Sequence, residues 1–212
     1  MNESLKRSTG LRELDRKVVT YWALATHSLP HVDTFPALAM LGKMGTGKSQ
    51  ALKIIGNFAY RSRRLSLRAM TAATIRDEFA GCNEGTAVVE EADYAWNDKD
   101  GAFERMVSDR YQRDSAKAAL KIPSGNKNWK TVSKAYFGAT ALHRRIAFID
   151  AALDGRSIQV RTRPDNSRRY EEFDENAPYN AKGRELIGSP VPSSLRASSH
   201  RSNLRPPCIN PS

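Results

Sequence analysis

The fold is decided by one stretch of the sequence, Phe35-Pro36-Ala37-Leu38-Ala39-Met40-Leu41-Gly42-Lys43-Met44-Gly45-Thr46-Gly47-Lys48-Ser49. Residues 35–41 form a short apolar run that stops at a glycine, which is typical of a buried strand. Residues 42–49 match the pattern G-x-x-x-x-G-K-S at every fixed position. Apolar residues then recur with helical spacing at Leu52, Ile55 and Phe58. The order of strand, glycine loop and helix predicts a loop that binds phosphate groups.

Each fixed position of this loop has a chemical reason. Glycines let backbone N–H groups turn toward the phosphates, and the N-terminus of the following helix favours an anion. We expect Lys48 to reach the β- and γ-phosphates and Ser49 to ligate Mg²⁺ through its hydroxyl. A glycine turn that binds nothing is the alternative, which the flanking strand and helix disfavour. The predicted nucleotide-binding residues are Gly42, Lys43, Met44, Gly45, Thr46, Gly47, Lys48, Ser49 and Gln50.

A second predicted strand ends in carboxylates. Thr86-Ala87-Val88-Val89 is apolar and β-branched, and Glu90-Glu91-Ala92-Asp93 follows it. We expect Glu90 to face the Mg²⁺ beside Ser49, Glu91 to orient the attacking water, and Asp93 to act as a neighbour of the pair. The alternative is a strand exit whose acids are merely solvated. The cofactors expected from both motifs are ATP and Mg²⁺, although nothing in the sequence selects ATP over other nucleoside triphosphates.

Two further positions are candidates for contacts with the γ-phosphate. A predicted strand from Val132 to Thr140 would bring Thr140 to the γ-phosphate or the water, while His143 is more often a packing residue. Arg156 precedes an alternating segment, residues 158–161, that indicates another strand. From that position it can cross into a neighbouring subunit and stabilise phosphoryl charge. A salt bridge at the sheet edge is the alternative for Arg156.

The remaining periodicities complete an α/β pattern. Apolar steps of three and four predict a helix over residues 11–24, with Pro30 beyond it. Residues 65–67 indicate a short strand, residues 72–80 a helix capped by Thr71, and residues 100–121 a longer helix followed by a turn at 123–128. Strands alternating with helices predict a P-loop NTPase fold, with a mostly parallel sheet flanked by helices and preceded by an N-terminal helical segment.

Composition divides the chain into four predicted parts. These are an N-terminal helical segment (1–33), the ATPase domain (34–165), a polar C-terminal extension (166–188) and a basic tail (189–212). The tail is rich in proline, serine and arginine and contains no acidic residue, so we expect it to be disordered. Cys82 and Cys208 show no paired spacing, which argues against a zinc site or a disulfide framework.

The charge balance bears on partners. The formal net charge is +11, which favours an anionic partner such as nucleic acid, although a solvated basic surface explains it equally well. No apolar run approaches the roughly 20 residues needed to span a bilayer, so we expect a cytoplasmic protein with no membrane partner. The basic clusters are Arg61, Arg63, Arg64 and Arg68, then Arg144-Arg145, then Arg168-Arg169-Tyr170.

Three motifs together resemble a known family. The glycine-rich loop, Glu90-Glu91-Ala92-Asp93 and Ala152-Leu153-Asp154-Gly155-Arg156-Ser157-Ile158 resemble the ATPase domains of phage, plasmid and mobile-element primase–helicase proteins, which belong to the AAA+ and related ring ATPases. The likeness covers residues 34–163. It implies a helicase-like, DNA-associated ATPase that forms a homo-oligomer, with Arg156 matching the family's trans-acting arginine.

Two departures from the family keep other functions open. The family usually has Asp where this chain has Glu90, and neither a helical lid nor a primase domain is evident in the sequence. Glu90 keeps open a non-hydrolysing, nucleotide-dependent DNA-binding regulator. A small-molecule kinase is the other alternative, although it would need an acceptor pocket and a lid, and no clear lid arginines follow residue 100.

Overall fold

A computed structural model describes residues 1–92, 101–123, 129–146, 148, 150–164, 170–178, 180 and 181. The helices are α1 (Asn2–Ser8), α2 (Glu13–Ala25), α3 (Lys48–Phe58), α4 (Ala72–Gly81), α5 (Ala102–Asp109) and α6 (Ala151–Gly155). The strands are β1 (Ala37–Leu41), β2 (Ser62–Ser66), β3 (Gly85–Glu90), β4 (Lys117–Pro123), β5 (Trp129–Ala135), β6 (Gly138–Arg144) and β7 (Ser157–Arg161). Two 3₁₀ segments cover Thr26–His31 and Leu67–Ala69.

The main sheet has five parallel strands in the order β2-β3-β6-β1-β7. All five residues of β1 are buried, as expected for a strand covered on both faces. The phosphate-loop strand therefore lies inside the sheet, and β6 separates it from the acidic strand β3. This is the predicted α/β P-loop NTPase fold, with helices α1 and α2 ahead of the sheet.

Local signals located several helices correctly. α2 spans Glu13–Ala25, and Pro30 lies in the 3₁₀ segment that follows. α4 begins after Thr71, whose Oγ1 accepts a hydrogen bond from the Thr74 N–H at 3.2 Å. Among the described residues, no helix is both long enough and apolar enough to cross a bilayer.

The predicted helix over residues 100–121 is wrong beyond Asp109. α5 ends there, and residues 117–123 form β4, which pairs with β5 in a separate antiparallel hairpin. Alanine favours a helix, but strand pairing overrides a weak local propensity. Ala116 and Ala118 are buried while Lys117 and Ala119 are exposed, which is the period of a strand.

The predicted strand over residues 132–140 is in fact two strands. β5 ends at Ala135, and β6 starts in the main sheet at Gly138. A side chain at Gly138 would place its Cβ 2.3 Å from the carbonyl oxygen of Gly85, so only glycine permits this entry.

Several other predictions fall outside the described residues. These are Asp93, the turn at residues 124–128, Arg168-Arg169 and the tail at 189–212. The domain boundaries at residues 33 and 165 stay a prediction.

The amino end of the main sheet is closed around Arg110, which follows α5 and is fully buried. Its guanidinium lies 4.7 Å from the centre of the Phe79 ring. Burial lowers the pKa of Arg110 to about 10. Its acceptors are Thr140 Oγ1 and the carbonyl oxygens of Phe79, Tyr136, Cys82, Gly85 and Ala139.

Candidate nucleotide site

The glycine loop leaves the carboxyl end of β1 and is fixed by close contacts. A Cβ on Gly42 would lie 2.3 Å from Thr162 Oγ1, so this position accepts only glycine. Gly45 and Gly47 have φ of +80° and +79°, a backbone conformation that residues other than glycine rarely adopt. Thr46 Oγ1 lies 2.6 Å from Thr162 Oγ1, which joins the loop to the chain just after β7.

Lys48 points its charge into the loop. Its side chain is buried, and Nζ donates to the carbonyl oxygens of Gly42 at 2.7 Å and Lys43 at 2.5 Å. α3 begins at Lys48 behind Gly47, which has no side chain to cap the first-turn N–H groups. An ammonium group and helix N–H donors therefore meet at one point, which suits an anion.

A cleft of about 440 Å³ opens beside the loop, within the usual size range of ligand sites. It brings together the predicted phosphate, metal and water residues, which are far apart in sequence. Its lining residues are Met44, Gly45, Thr46, Gly47, Lys48, Ser49, Gln50, Arg68, Glu90, Glu91, His143 and Arg145.

The two carboxylates at the end of β3 are held differently. Glu90 pairs with Arg64 on the neighbouring strand, with Arg64 Nη2 2.5 Å from Glu90 Oε1. Glu91 has φ of +57°, a left-handed conformation that is uncommon for residues other than glycine. Its backbone N–H donates to His143 Nε2 at 3.2 Å, and its Oε2 accepts from Ser66 Oγ at 3.4 Å.

The structure does not bring Thr140 to the loop. β6 pairs with β1 so that Arg144 lies opposite Leu41, the last residue before the loop. Thr140 is four residues earlier, about 13 Å back along the strand at ~3.3 Å per residue. It is buried there and accepts a hydrogen bond from Arg110. The prediction misplaced the end of this strand because it treated residues 132–140 as one element.

His143 occupies the position that Thr140 was expected to hold. It lies near the carboxyl end of β6, lines the cleft and contacts the Glu91 backbone. Because Nε2 accepts that hydrogen bond, the ring proton in this arrangement is on Nδ1. The apolar residues that continue to Leu142 were the sequence signal for the true end of the strand.

Arg156 lies at the opposite end of the sheet from its own loop. It immediately precedes β7, whose first residue pairs with Ala37 at the start of β1. Its side chain is exposed, donates to Ser108 Oγ at 2.9 Å and lies 5.5 Å from the centre of the Tyr111 ring. Among the described residues, its partners are the hydroxyl and carbonyl oxygens of Ser108 and the Tyr111 ring, and not the carboxylate of the salt-bridge alternative.

Several arginines of the predicted nucleic-acid clusters have partners within the chain. Arg63 pairs with Glu78 at 2.7 Å, and Arg64 pairs with Glu90. Arg144 is buried, pairs with Glu104 and lies over the Phe148 ring. Two other members, Arg68 and Arg145, line the cleft beside the loop. Sequence reasoning missed this location because both lie in basic runs that look like a solvated surface.

The donors in this cleft suit Mg²⁺. Ser49 supplies a hydroxyl, and Glu90 and Glu91 supply carboxylates. Within the part of the chain that the structure describes, no group of three or more His, Cys, Asp or Glu residues forms a complete metal cage. Mg²⁺ does not require one, because it is usually held by one or two carboxylates together with phosphate oxygens and water.

Comparison with known proteins adds a likeness to solved structures. A scan against protein-family models found no match, and neither did a search of curated proteins. The chain is similar to a JC virus helicase solved with a small-molecule acetamide bound, with 14% sequence identity and a TM-score of 0.44. The match covers 74% of this chain and 42% of the viral chain, so this chain spans less than half of that structure.

Proposed function

We propose that this chain is a Mg²⁺-dependent ATPase that acts on nucleic acid as a helicase-like motor, in the manner of phage, plasmid and mobile-element primase–helicase proteins. The observation that carries the proposal is the cleft that Lys48 and Ser49 share with Glu90 and Glu91. These residues combine phosphate binding with carboxylates positioned for hydrolysis.

Each side chain has a role in this proposal. Lys48 Nζ bonds to the β- and γ-phosphates in place of the loop carbonyl oxygens that it contacts here. Arg68 and Arg145 add positive charge to the same cleft. Ser49 and Glu90 would hold Mg²⁺, which would neutralise negative charge on the phosphates when bound. Glu91 orients the water, and His143 positions Glu91 through its backbone N–H.

Glu91→Gln separates binding from chemistry. The amide keeps the size of the side chain but loses the carboxylate, so we expect ATP binding to persist while turnover falls about 10²- to 10⁴-fold. Equilibrium binding and steady-state phosphate release measure the two quantities. Unchanged turnover would refute the role of Glu91.

Arg156 is proposed to act in a neighbouring subunit of a homo-oligomer. It lies at the sheet end opposite its own loop, so a role in phosphoryl transfer requires another subunit's site. In mixtures of Arg156→Ala and Lys48→Ala subunits, some interfaces combine an intact loop with an intact arginine. We expect partial recovery of hydrolysis in such mixtures, and no recovery in oligomers shown to be mixed would contradict the trans role.

The β4–β5 hairpin is the proposed contact for nucleic acid. It is separate from the main sheet, and Lys117, Lys130 and Lys134 are exposed on it. The hairpin leads through Tyr136 and Phe137 into β6, the strand that carries His143. Phosphates bound by these lysines would therefore act on the same strand that supports Glu91.

Single-stranded DNA tests the motor. At low salt we expect it to bind and to stimulate phosphate release. Replacing Lys117, Lys130 and Lys134 by alanine should weaken binding and lower the salt slope of log K by about 2, because each phosphate contact contributes roughly 0.7. A matched control replaces Lys6, Arg12 and Lys17, which removes the same charge from the N-terminal segment. DNA that neither binds nor stimulates would exclude the motor.

The Arg64–Glu90 pair favours a second candidate, a non-hydrolysing, nucleotide-dependent DNA-binding regulator. Arg64 engages the carboxylate that is assigned to the metal, at 2.5 Å. The wild-type chain would then bind ATP and DNA without turnover, and Arg64→Ala would raise hydrolysis. A decrease in hydrolysis on Arg64→Ala would favour the ATPase.

A further inference from the structure

A second cleft, of about 420 Å³, also borders the glycine loop. It shares Gly45, Thr46, Gly47 and Gln50 with the phosphate cleft, so the two clefts meet at the loop. A nucleotide also has two parts, a charged phosphate chain and a nucleoside. The second cleft therefore lies where a ligand held by its phosphates would extend.

The walls of this cleft come from the two ends of the described chain. Ser8, Thr9 and Gly10 follow α1, and Tyr170, Glu171 and Glu172 form the facing part. Thr9 is buried, and its Cα lies 3.8 Å from the position a Cβ would take on Gly47. The N-terminal segment thus packs directly against the phosphate loop.

Buried hydrogen bonds tie these two walls together. Ser4 Oγ donates to Asn180 Oδ1 at 2.8 Å, and the two residues are only 2% and 0% exposed. The Glu171 N–H donates to the Arg7 carbonyl oxygen at 3.1 Å. Asn180 Nδ2 donates to the Asp174 carbonyl oxygen at 2.6 Å, which fixes the amide. Breaking the Ser4–Asn180 bond would leave a buried acceptor without its donor, so the pair holds the walls in one arrangement.

We propose that the second cleft binds the nucleoside half of the nucleoside triphosphate, and that the Ser4–Asn180 pair positions its walls. This inference rests on the proposed function, because the phosphates must occupy the loop. Tyr170 offers an aromatic face on which a base can stack. Glu171 and Glu172 supply two carboxylates to this side, where Arg163 lines the cleft and Lys53 Nζ lies 3.8 Å from Glu172 Oε1.

That charge distribution fixes the orientation of the ligand. Lys48, Arg68 and Arg145 attract phosphates to the first cleft. The second cleft has no such excess of positive charge among its lining residues, and its carboxylates can accept hydrogen bonds from ribose hydroxyls or a base amino group. A nucleotide therefore binds with its base toward Tyr170.

Two ligands distinguish the nucleoside contacts from the phosphate contacts. Calorimetric titration of the full chain with MgATP and with magnesium tripolyphosphate gives the affinity with and without the nucleoside. Tyr170→Ala should weaken ATP binding on the order of 10-fold and leave tripolyphosphate unchanged. Ser4→Ala should weaken ATP binding several-fold and also leave tripolyphosphate binding unchanged, because it alters only the walls of the second cleft.

The controls match the chemical change of each variant. Tyr21→Ala removes an exposed tyrosine from α2, outside both clefts. Thr26→Ala removes a buried hydroxyl that bonds to the Ala23 carbonyl oxygen and accepts from the Tyr60 N–H. Neither control should change the ratio of the ATP and tripolyphosphate affinities.

The outcomes separate the two proposals. If the wild-type chain binds neither ligand, the proposed function fails and this inference fails with it. If both ligands bind but Tyr170→Ala leaves their affinity ratio unchanged, the nucleoside cleft is refuted while the phosphate loop stands. Tyr170→Ala also carries the test alone if Ser4→Ala does not fold, because Tyr170 is only partly buried.

Discussion

The two ends of the main sheet each surround a buried cation with carbonyl oxygens. At the carboxyl end, Lys48 Nζ donates to the carbonyl oxygens of Gly42 and Lys43, beside an open cleft. At the amino end, Arg110 donates to five carbonyl oxygens and the Thr140 hydroxyl, and it is closed off from solvent. The same type of contact therefore serves two different purposes.

The two ends differ in whether the carbonyl oxygens can find other partners when the cationic side chain no longer bonds to them. Lys48 bonds to carbonyls of a loop that borders a cleft, so water or a phosphate-bearing ligand can replace each partner. Arg110 bonds to carbonyl oxygens from several segments, and removing its side chain would leave these oxygens without hydrogen-bond donors. The carboxyl end can exchange partners, whereas the amino end stabilises the fold.

The largest effect is expected from Arg110→Met. Each carbonyl left buried without a donor costs about 1–3 kcal/mol, so we expect the free energy of unfolding to fall by more than about 4 kcal/mol. Urea unfolding measures it. Arg105→Met, at an exposed arginine on α5, the helix that precedes Arg110, is the matched control and should stay within about 0.5 kcal/mol of wild type. An Arg110→Met chain as stable as wild type would remove the distinction between the two ends.

The carboxyl end could be predicted from sequence, and the amino end could not. The loop and the strand before Glu90 follow from local patterns, because a few adjacent residue types determine the geometry. Arg110 bonds to acceptors between residues 79 and 140, and no local periodicity brings these together. An arginine after Asp109 looks like an ordinary surface residue until the distant strands are in place.

The same distinction explains the exchange between Thr140 and His143. Both lie on β6, and sequence spacing placed Thr140 rather than His143 beside the loop because the start of the strand depends on pairing between Gly138 and Gly85. The ends of strands that pair over long distances are set by their partners. Arg156 and the water role of Glu91 stay predictions, since they depend on a second subunit and on a bound nucleotide.

Thr140→Val and His143→Ala should give opposite results if this division holds. Thr140→Val removes an acceptor from Arg110, so we expect a loss of about 1–3 kcal/mol in stability with unchanged hydrolysis per folded chain. His143→Ala removes the acceptor for the Glu91 N–H, so we expect hydrolysis to fall about 10-fold with a smaller change in stability. Urea unfolding and phosphate release measure both. If a folded Thr140→Val chain lost hydrolysis, Thr140 would have a role in the nucleotide site after all.

The smallest expected effect is a change in the stability of the amino end of the sheet at alkaline pH. The Tyr136 hydroxyl donates to Asp109 Oδ2 at 3.1 Å, and its carbonyl oxygen accepts from Arg110. Burial, reinforced by the charge of Asp109, raises the pKa of Tyr136 to about 12, against about 10 in an unfolded chain. The folded state therefore keeps this proton longer, so the contribution of Tyr136 is fully present below about pH 10 and is lost as the pH rises toward 12.

Arg110 acts in the opposite direction over the same range. Because its pKa is lowered to about 10, the unfolded chain holds more protons above that pH, and this group makes stability rise with pH. Tyr136→Phe removes only the tyrosine contribution, so its stability relative to wild type should increase between about pH 10 and 12. Tyr21→Phe, at an exposed position on α2, should show no such trend. If the stabilities of wild type and Tyr136→Phe changed with pH in parallel, the pKa of Tyr136 would not be raised by burial. Solvent would then reach the amino end as freely as it reaches the loop.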